Sequence, residues 1–126
     1  RSSAASDVYK RQAMNIACLK YRMTPEEVLT AVTLNGAAAI GRADRIGSLE
    51  PGKQADLIVI DLQRPNMQPV HNAARNLVYS GSKENVRLTM VAGRVLYENG
   101  AFFIGEPAQD IYRAVDAAFS AMRARL

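Results

Sequence analysis

The string Gly47-Ser-Leu-Glu-Pro-Gly-Lys53 sets two glycines and a lysine at the spacing of a phosphate-cradling loop, G-x-x-x-x-G-K-[ST]. Such a loop needs a strand before it, a helix after it, and a Ser or Thr after the lysine to hold magnesium. Gln54 stands at that last position. The residues that follow, Ala55-Asp56-Leu-Ile-Val-Ile60, read as a strand, so no helix N-terminus would point at an anion. Pro51 also removes one N–H donor from the cradle. The match fails on chemistry and on context. Gly52 then supplies the positive φ of a type II turn behind Pro51, and Lys53 reads as a solvated turn residue.

The other reactive side chains are sparse. A catalytic zinc site takes about three protein ligands plus water. This chain has one histidine, His71, one cysteine, Cys18, and no H-x-H pair. Cys18 lies in an apolar helical pattern, far along the chain from its only potential base, and reads as a small buried hydrophobe. With a single cysteine no intrachain disulfide can form, which suits a reducing, cytoplasmic setting. His71 lies in a polar loop and reads as a surface or hydrogen-bonded residue. Tyr79 reads as strand packing, and Arg75 and Arg94 as solvated ends. Asp56 is expected to bond the backbone of its own turn, and Asp61 to end a buried strand. No catalytic, cofactor-binding or metal-ligating residue is assigned within the chain.

These residues sit on a chain of 126 residues, one domain's worth or a piece of a larger one. Its apolar share of 48% allows a core. No run approaches the ~20 apolar residues of a membrane span. The formal charge is +4, of which residues 1–12 (RSSAASDVYKRQ) hold three positive charges and one negative. The remaining basic residues are scattered among acidic ones, which excludes a nucleic-acid footprint. Residues 1–12 lack an amphipathic period and resemble translated adaptor sequence, so they are set aside as a non-native leader.

Helical spacing of Met14, Ala17, Cys18 and Tyr21 predicts a helix over 13–21. Thr24, Pro25 and Glu27 form a capping-box start for the next, with Met23 and Val28 placed as a hydrophobic staple. Asn35-Gly36 is expected to interrupt that helix, and Gly41 to end the short one after it. Strands are predicted at 46–49, 55–62, 76–80, 86–92 and 94–98, with a short extended piece at 101–103. Turns fall at 50–53, Ala92-Gly93 and Asn99-Gly100, and a loop over 64–74. A final helix opens at Pro107, with the apolar stripe Ile111, Val115, Ala118, Phe119 and Met122. That stripe is expected to pack on a missing part of a larger protein.

Read as a whole, IGSLEPGKQADLIVID resembles the C-terminal signature of the amidohydrolase superfamily, with Gly47, Leu49, Gly52, Ala55, Asp56 and Asp61 at the pattern positions. MTPEEVLTAVTLNGAAAIG is similar to the segment that closes that family's barrel. VRLTMVAGRVLYENGAF is similar to its hairpin. The resemblance spans residues 13–126. It implies an α/β fragment: the last helices of a (β/α)8 barrel (13–45), the C-terminal part of the accompanying small β-sandwich (46–105) and a terminal helix (106–126). Residues 65–86 resemble the branch of 5-methylthioadenosine/S-adenosylhomocysteine deaminases and triazine hydrolases, whereas the first helices lean toward imidazolonepropionase.

Family members are hydrolases that use a divalent metal, zinc or iron, which lowers the pKa of a bound water. Its ligands are an H-x-H pair, two more histidines and an aspartate that would fall just upstream of residue 13. The resemblance therefore implies a parent enzyme that hydrolyses a non-peptide C–N bond of a small-molecule substrate, deaminating an adenosine-like purine. The parent could form a homo-oligomer, with no nucleic acid or membrane as partner. The segment itself would be inactive and would bind no cofactor. The competing readings are an imidazolonepropionase-like cyclic amide hydrolase and a free-standing, non-catalytic α+β interaction module.

Overall fold

The computed structural model describes residues 3–124, with side chains described from Lys10 onward. α1 (Ser3–Tyr21) runs unbroken across Ala13, where a change of character was expected. It ends where Arg22 turns to a φ of 56°. α2 (Pro25–Thr30) begins as its sequence predicts. Thr24 Oγ1 accepts from the Glu27 N–H at 3.2 Å, and the Thr24 N–H donates to Glu27 Oε2 at 2.7 Å. Two of the free N–H groups of the helix start are thereby satisfied.

Asn35-Gly36 does not interrupt the helix. Ala31–Asn35 widens into a π-helical turn and α3 (Gly36–Ala39) continues from it. The physical cause lies in two threonines. Thr30 and Thr33 donate their hydroxyls to the Glu26 and Leu29 carbonyls, at 3.0 and 2.6 Å. Such back-bonding competes with the helical ladder and loosens it. Gly41, at φ 67°, then closes α3. Its N–H reaches the Ala38 carbonyl and that of Arg42 the Ala37 carbonyl, a Schellman stop.

The sheet holds β1 (Leu57–Ile60), β2 (Val86–Val91), β3 (Arg94–Glu98) and β4 (Ala101–Phe102), antiparallel and in chain order. Both tight turns pair two positive φ angles: 50° and 77° at Ala92-Gly93, 46° and 92° at Asn99-Gly100. This is the type I′ geometry that matches strand twist.

Two expected strands are absent. Residues 46–48 form bends and Leu49 has no regular structure, because Gly47 sits at φ 98° and the segment pairs with no strand. Residues 76–80 belong to a helix, α4 (Ala73–Ser80). Asn72 caps it, its Oδ1 accepting from the Arg75 N–H at 2.8 Å. Gly81 ends it, so close to the preceding turn that a Cβ there would lie 2.5 Å from the Leu77 carbonyl oxygen. The stretch Asn76-Leu-Val-Tyr-Ser80 has strand-like residues, but its caps and its packing decide for helix. Val78 is fully buried against Cys18 and Val28, with Met14, Ala17, Met23 and Leu29 around them. This core joins α1, α2 and α4.

Elsewhere apolar surface is open. β1, expected to be a buried strand, leaves Ile58 57% and Val59 45% exposed, and these neighbours point to opposite faces. The last helix, α5 (Ala108–Arg123), exposes most of its stripe. No helix among the described residues is long and apolar enough to cross a membrane.

Candidate functional site: the signature turn and its clamp

The residues that could do chemistry are placed by two loops. The first, 47–56, links the helices to the sheet. Glu50 to Lys53 forms the expected turn, with the Lys53 N–H on the Glu50 carbonyl at 3.1 Å and Gly52 at φ 91°. Its start is pressed against a helix: a Cβ on Gly47 would lie 2.7 Å from the Ala37 Cβ and 3.1 Å from the Thr33 carbonyl oxygen. Gly47 therefore serves close approach as well as positive φ.

Lys53 is not the solvated residue expected of a turn. Its side chain is only 15% exposed. Its Nζ donates to Ser48 Oγ at 2.7 Å and to Glu50 Oε1 at 3.3 Å, while Ser48 Oγ donates to the same carboxylate. The Ser48 hydroxyl, then Lys53, hold the Glu50 carboxyl below its ordinary pKa. The ammonium that a phosphate loop would aim at an anion is spent inside its own turn. A strand follows, as the sequence predicts.

Asp56 also differs from expectation. It bonds the far hairpin, not its own turn. Its Oδ1 accepts from the Ala92 N–H at 2.6 Å, and the neighbouring Ala55 carbonyl accepts from the Gly93 N–H at 3.1 Å. The Ala-Asp pair of the first loop thus clamps the type I′ turn between β2 and β3. Ala92 lacks glycine's freedom at φ 50°. A charged acceptor on its N–H helps hold that conformation.

The second loop, 61–85, is held by asparagines that sequence reasoning left unassigned. Asn85 is 1% exposed and is the centre of the network. Its Oδ1 accepts from the Ser82 N–H and from Asn66 Nδ2, each at 2.8 Å; its backbone carbonyl accepts from the Asp61 N–H at 2.7 Å. Asn66 Nδ2 also reaches the Ser80 carbonyl, and Asn76 Nδ2 the Met67 carbonyl at 2.6 Å. Asn72 Nδ2 donates to Glu26 Oε1 at 3.0 Å, tying the loop to α2. That bond is the main cause of the lowered Glu26 pKa. The only hint in the sequence was the number of asparagines in one loop, since each can bond local backbone.

The remaining candidates do not converge. His71 is exposed. Asp61 Oδ1 accepts from the Gln63 N–H at 2.9 Å and its carboxylate meets Arg64 at 3.5 Å. Tyr79 lies on α4, not on a strand, and its contact with the Cys18 thiol raises its pKa. Among the described residues, no three of His, Cys, Asp and Glu come close enough to hold a metal ion. The donor set does not fit one either, because Asp56 and Asp61 already accept from backbone N–H groups. The arrangement is a structural junction between helices and sheet.

A model described as the amidohydrolase family matches residues 4–96. The chain is 48% identical over 88 residues to a 5-methylthioadenosine/S-adenosylhomocysteine deaminase of Nitratidesulfovibrio vulgaris, covering 69% of this chain and 20% of that protein. It is 48% identical over 87 residues to an imidazolonepropionase of Shouchella clausii, covering 69% of this chain and 17% of that protein. The chain thus spans about a fifth of the curated relatives it matches. A zinc-bound adenosine deaminase of Xanthomonas campestris superposes with a TM-score of 0.80 and 29% identity, over 91% of this chain and 27% of that one. A zinc-complexed atrazine chlorohydrolase of Arthrobacter aurescens superposes with a TM-score of 0.72 and 25% identity, over 82% and 25%.

Proposed function

Since this chain belongs to the amidohydrolase family, we propose that it is the C-terminal part of a metal-dependent hydrolase of a C–N bond, deaminating an adenosine-like purine. The observation that carries the reading is the superposition, over 91% of the chain, on a zinc-bound adenosine deaminase whose remaining length is not represented here. The 48% identity to a 5-methylthioadenosine/S-adenosylhomocysteine deaminase supports the same substrate class. In this reading α1, α2 and α3 close a (β/α)8 barrel, and β1–β4 contribute to the small sandwich beside it. The enzyme is cytoplasmic.

The metal, zinc or iron, belongs to the other part of the enzyme and supplies an activated water. Among the described residues no group of His, Cys, Asp and Glu gathers to hold it. The chain's own work is mechanical. The core of Cys18, Val28 and Val78 fastens α4 to the two helices. Gly47 lets the signature turn lie against α3, and Asp56 holds the sheet to that turn. Substrate choice rests with barrel loops outside this segment.

The test is ammonia release from 5-methylthioadenosine by the longer polypeptide that carries this segment, with and without a chelator. Chelator-sensitive release is expected, and none from residues 1–126 alone. The imidazolonepropionase likeness favours a second reading, hydrolysis of a cyclic amide. Turnover of imidazolonepropionate in place of the nucleoside would select it. A natural product beginning near Ala13 would instead leave the free-standing α+β module.

A further inference from the structure

The last helix carries an apolar face that the described residues leave uncovered. Tyr112, Val115, Phe119 and Met122 are each 60–63% exposed, although they lie on one side of α5 with Ile111 and Ala118. The opposite side carries Gln109, Arg113 and Ser120. Arg113 is paired there with Asp110.

The width of the face says what kind of surface it meets. Ala108, Ile111, Val115, Ala118 and Met122 repeat at alternating steps of three and four. Alone, that would be the narrow seam of a two-helix coiled coil. Tyr112 and Phe119 add a second column beside the seam, seven residues apart. A face of three positions in seven suits a helix lying on a globular body, not a single partner helix. The match to the adenosine deaminase also reaches α5. The residues of this chain outside that match are fewer than the 16 of α5, so part of α5 has a counterpart inside a whole enzyme almost four times as large as the matched part.

We propose that the face of Tyr112, Val115, Phe119 and Met122 docks on the remaining body of the same enzyme and fastens α5 to it. A second copy of the chain is not its occupant. This inference rests on the reading that a larger parent exists.

The experiment exchanges the homologous C-terminal segment of the Nitratidesulfovibrio vulgaris deaminase for residues 13–126. It compares Phe119→Glu, Phe119→Ala and Ser120→Glu in that chimera and in the free chain. In the chimera, Phe119→Glu should lower the melting temperature by about 5 °C or more and Phe119→Ala by less, with Ser120→Glu unchanged. In the free chain all three should melt within about 1 °C of the parent sequence. A chimera that folds and deaminates but ignores Phe119→Glu overturns the docking and leaves the functional reading standing. A free chain that dimerises through this face, losing the dimer on Phe119→Glu, overturns it too. A chimera that cannot fold where the natural deaminase does would overturn both. Should the Phe119→Glu chimera alone fail to fold while the other two fold, the docking is supported.

Discussion

Replacing Asp56 by alanine tests the clamp between the signature turn and the hairpin. The substitution removes the acceptor that lies 2.6 Å from the Ala92 N–H. A hydrogen bond to a charged group contributes about 1.5–3 kcal/mol when the group left behind is buried. Here both partners are exposed, so water can replace the lost acceptor. The cost should therefore fall at the low end, about 1–1.5 kcal/mol. The turn feels it more than the molecule does, because Ala92 sits at φ 50° and a left-handed non-glycine residue costs about 1–2 kcal/mol. Asp56→Asn keeps a neutral acceptor and should lose about half as much. Ala92→Gly removes the conformational cost and should raise stability by about 0.5–1 kcal/mol. Urea unfolding reads the global effect and amide hydrogen exchange the local one. Since about 1.4 kcal/mol is a factor of ten in an equilibrium, protection of the Ala92 and Gly93 amides should drop roughly tenfold in Asp56→Ala. If their exchange is unchanged, or if Asp56→Asn costs as much as Asp56→Ala, the charged clamp is wrong.

Three further outcomes are expected. Gly47→Ala should cost about 2 kcal/mol or more, since its φ is 98° and its new Cβ would meet the Ala37 Cβ at 2.7 Å; unfolding midpoints measure this, and a neutral result would mean that the turn is not pressed on α3. Asn85→Ala should cost about 2–4 kcal/mol by leaving the Ser82 N–H and Asn66 without their buried acceptor, whereas Asn66→Ala should cost less, a ranking that paired denaturation curves can check. Stability should also depend on pH through Glu26, Glu27 and Glu50, whose pKa values are lowered by Asn72, Thr24 and Ser48 respectively. Lowered folded values mean the contribution is complete above the unfolded carboxylate value of about 4.3 and is lost as pH falls through the folded ones. Melting temperature followed downward from pH 6 should drop, and the drop should shrink in Asn72→Ala and Thr24→Ala.

Much of the local structure was legible in the residues. The capping box at Thr24, the glycine stop at Gly41, the turn at Pro51-Gly52 and the two-residue hairpins at Ala92-Gly93 and Asn99-Gly100 all formed as their sequences predict. Each depends on contacts within a few residues, so composition and spacing are enough. The signature string, Gly47 to Asp61, was also legible as a family mark, and the family match bears it out.

What long-range packing decides was hidden. Asn76-Leu-Val-Tyr-Ser80 reads as a strand by propensity, yet Val78 turns helical because its burial partners, Cys18 and Val28, lie far back in the chain. Asp56 and Ala92 are 36 residues apart, and nothing in either neighbourhood announces their bond. Lys53 looks solvated until its turn folds it onto Ser48 and Glu50. By itself the sequence determined the punctuation of the chain and its kinship, because caps, turns and motifs are local codes. Only the tertiary structure decided which elements share a core and which carboxylate clamps which turn, because those choices compare distant partners for the same apolar and polar groups.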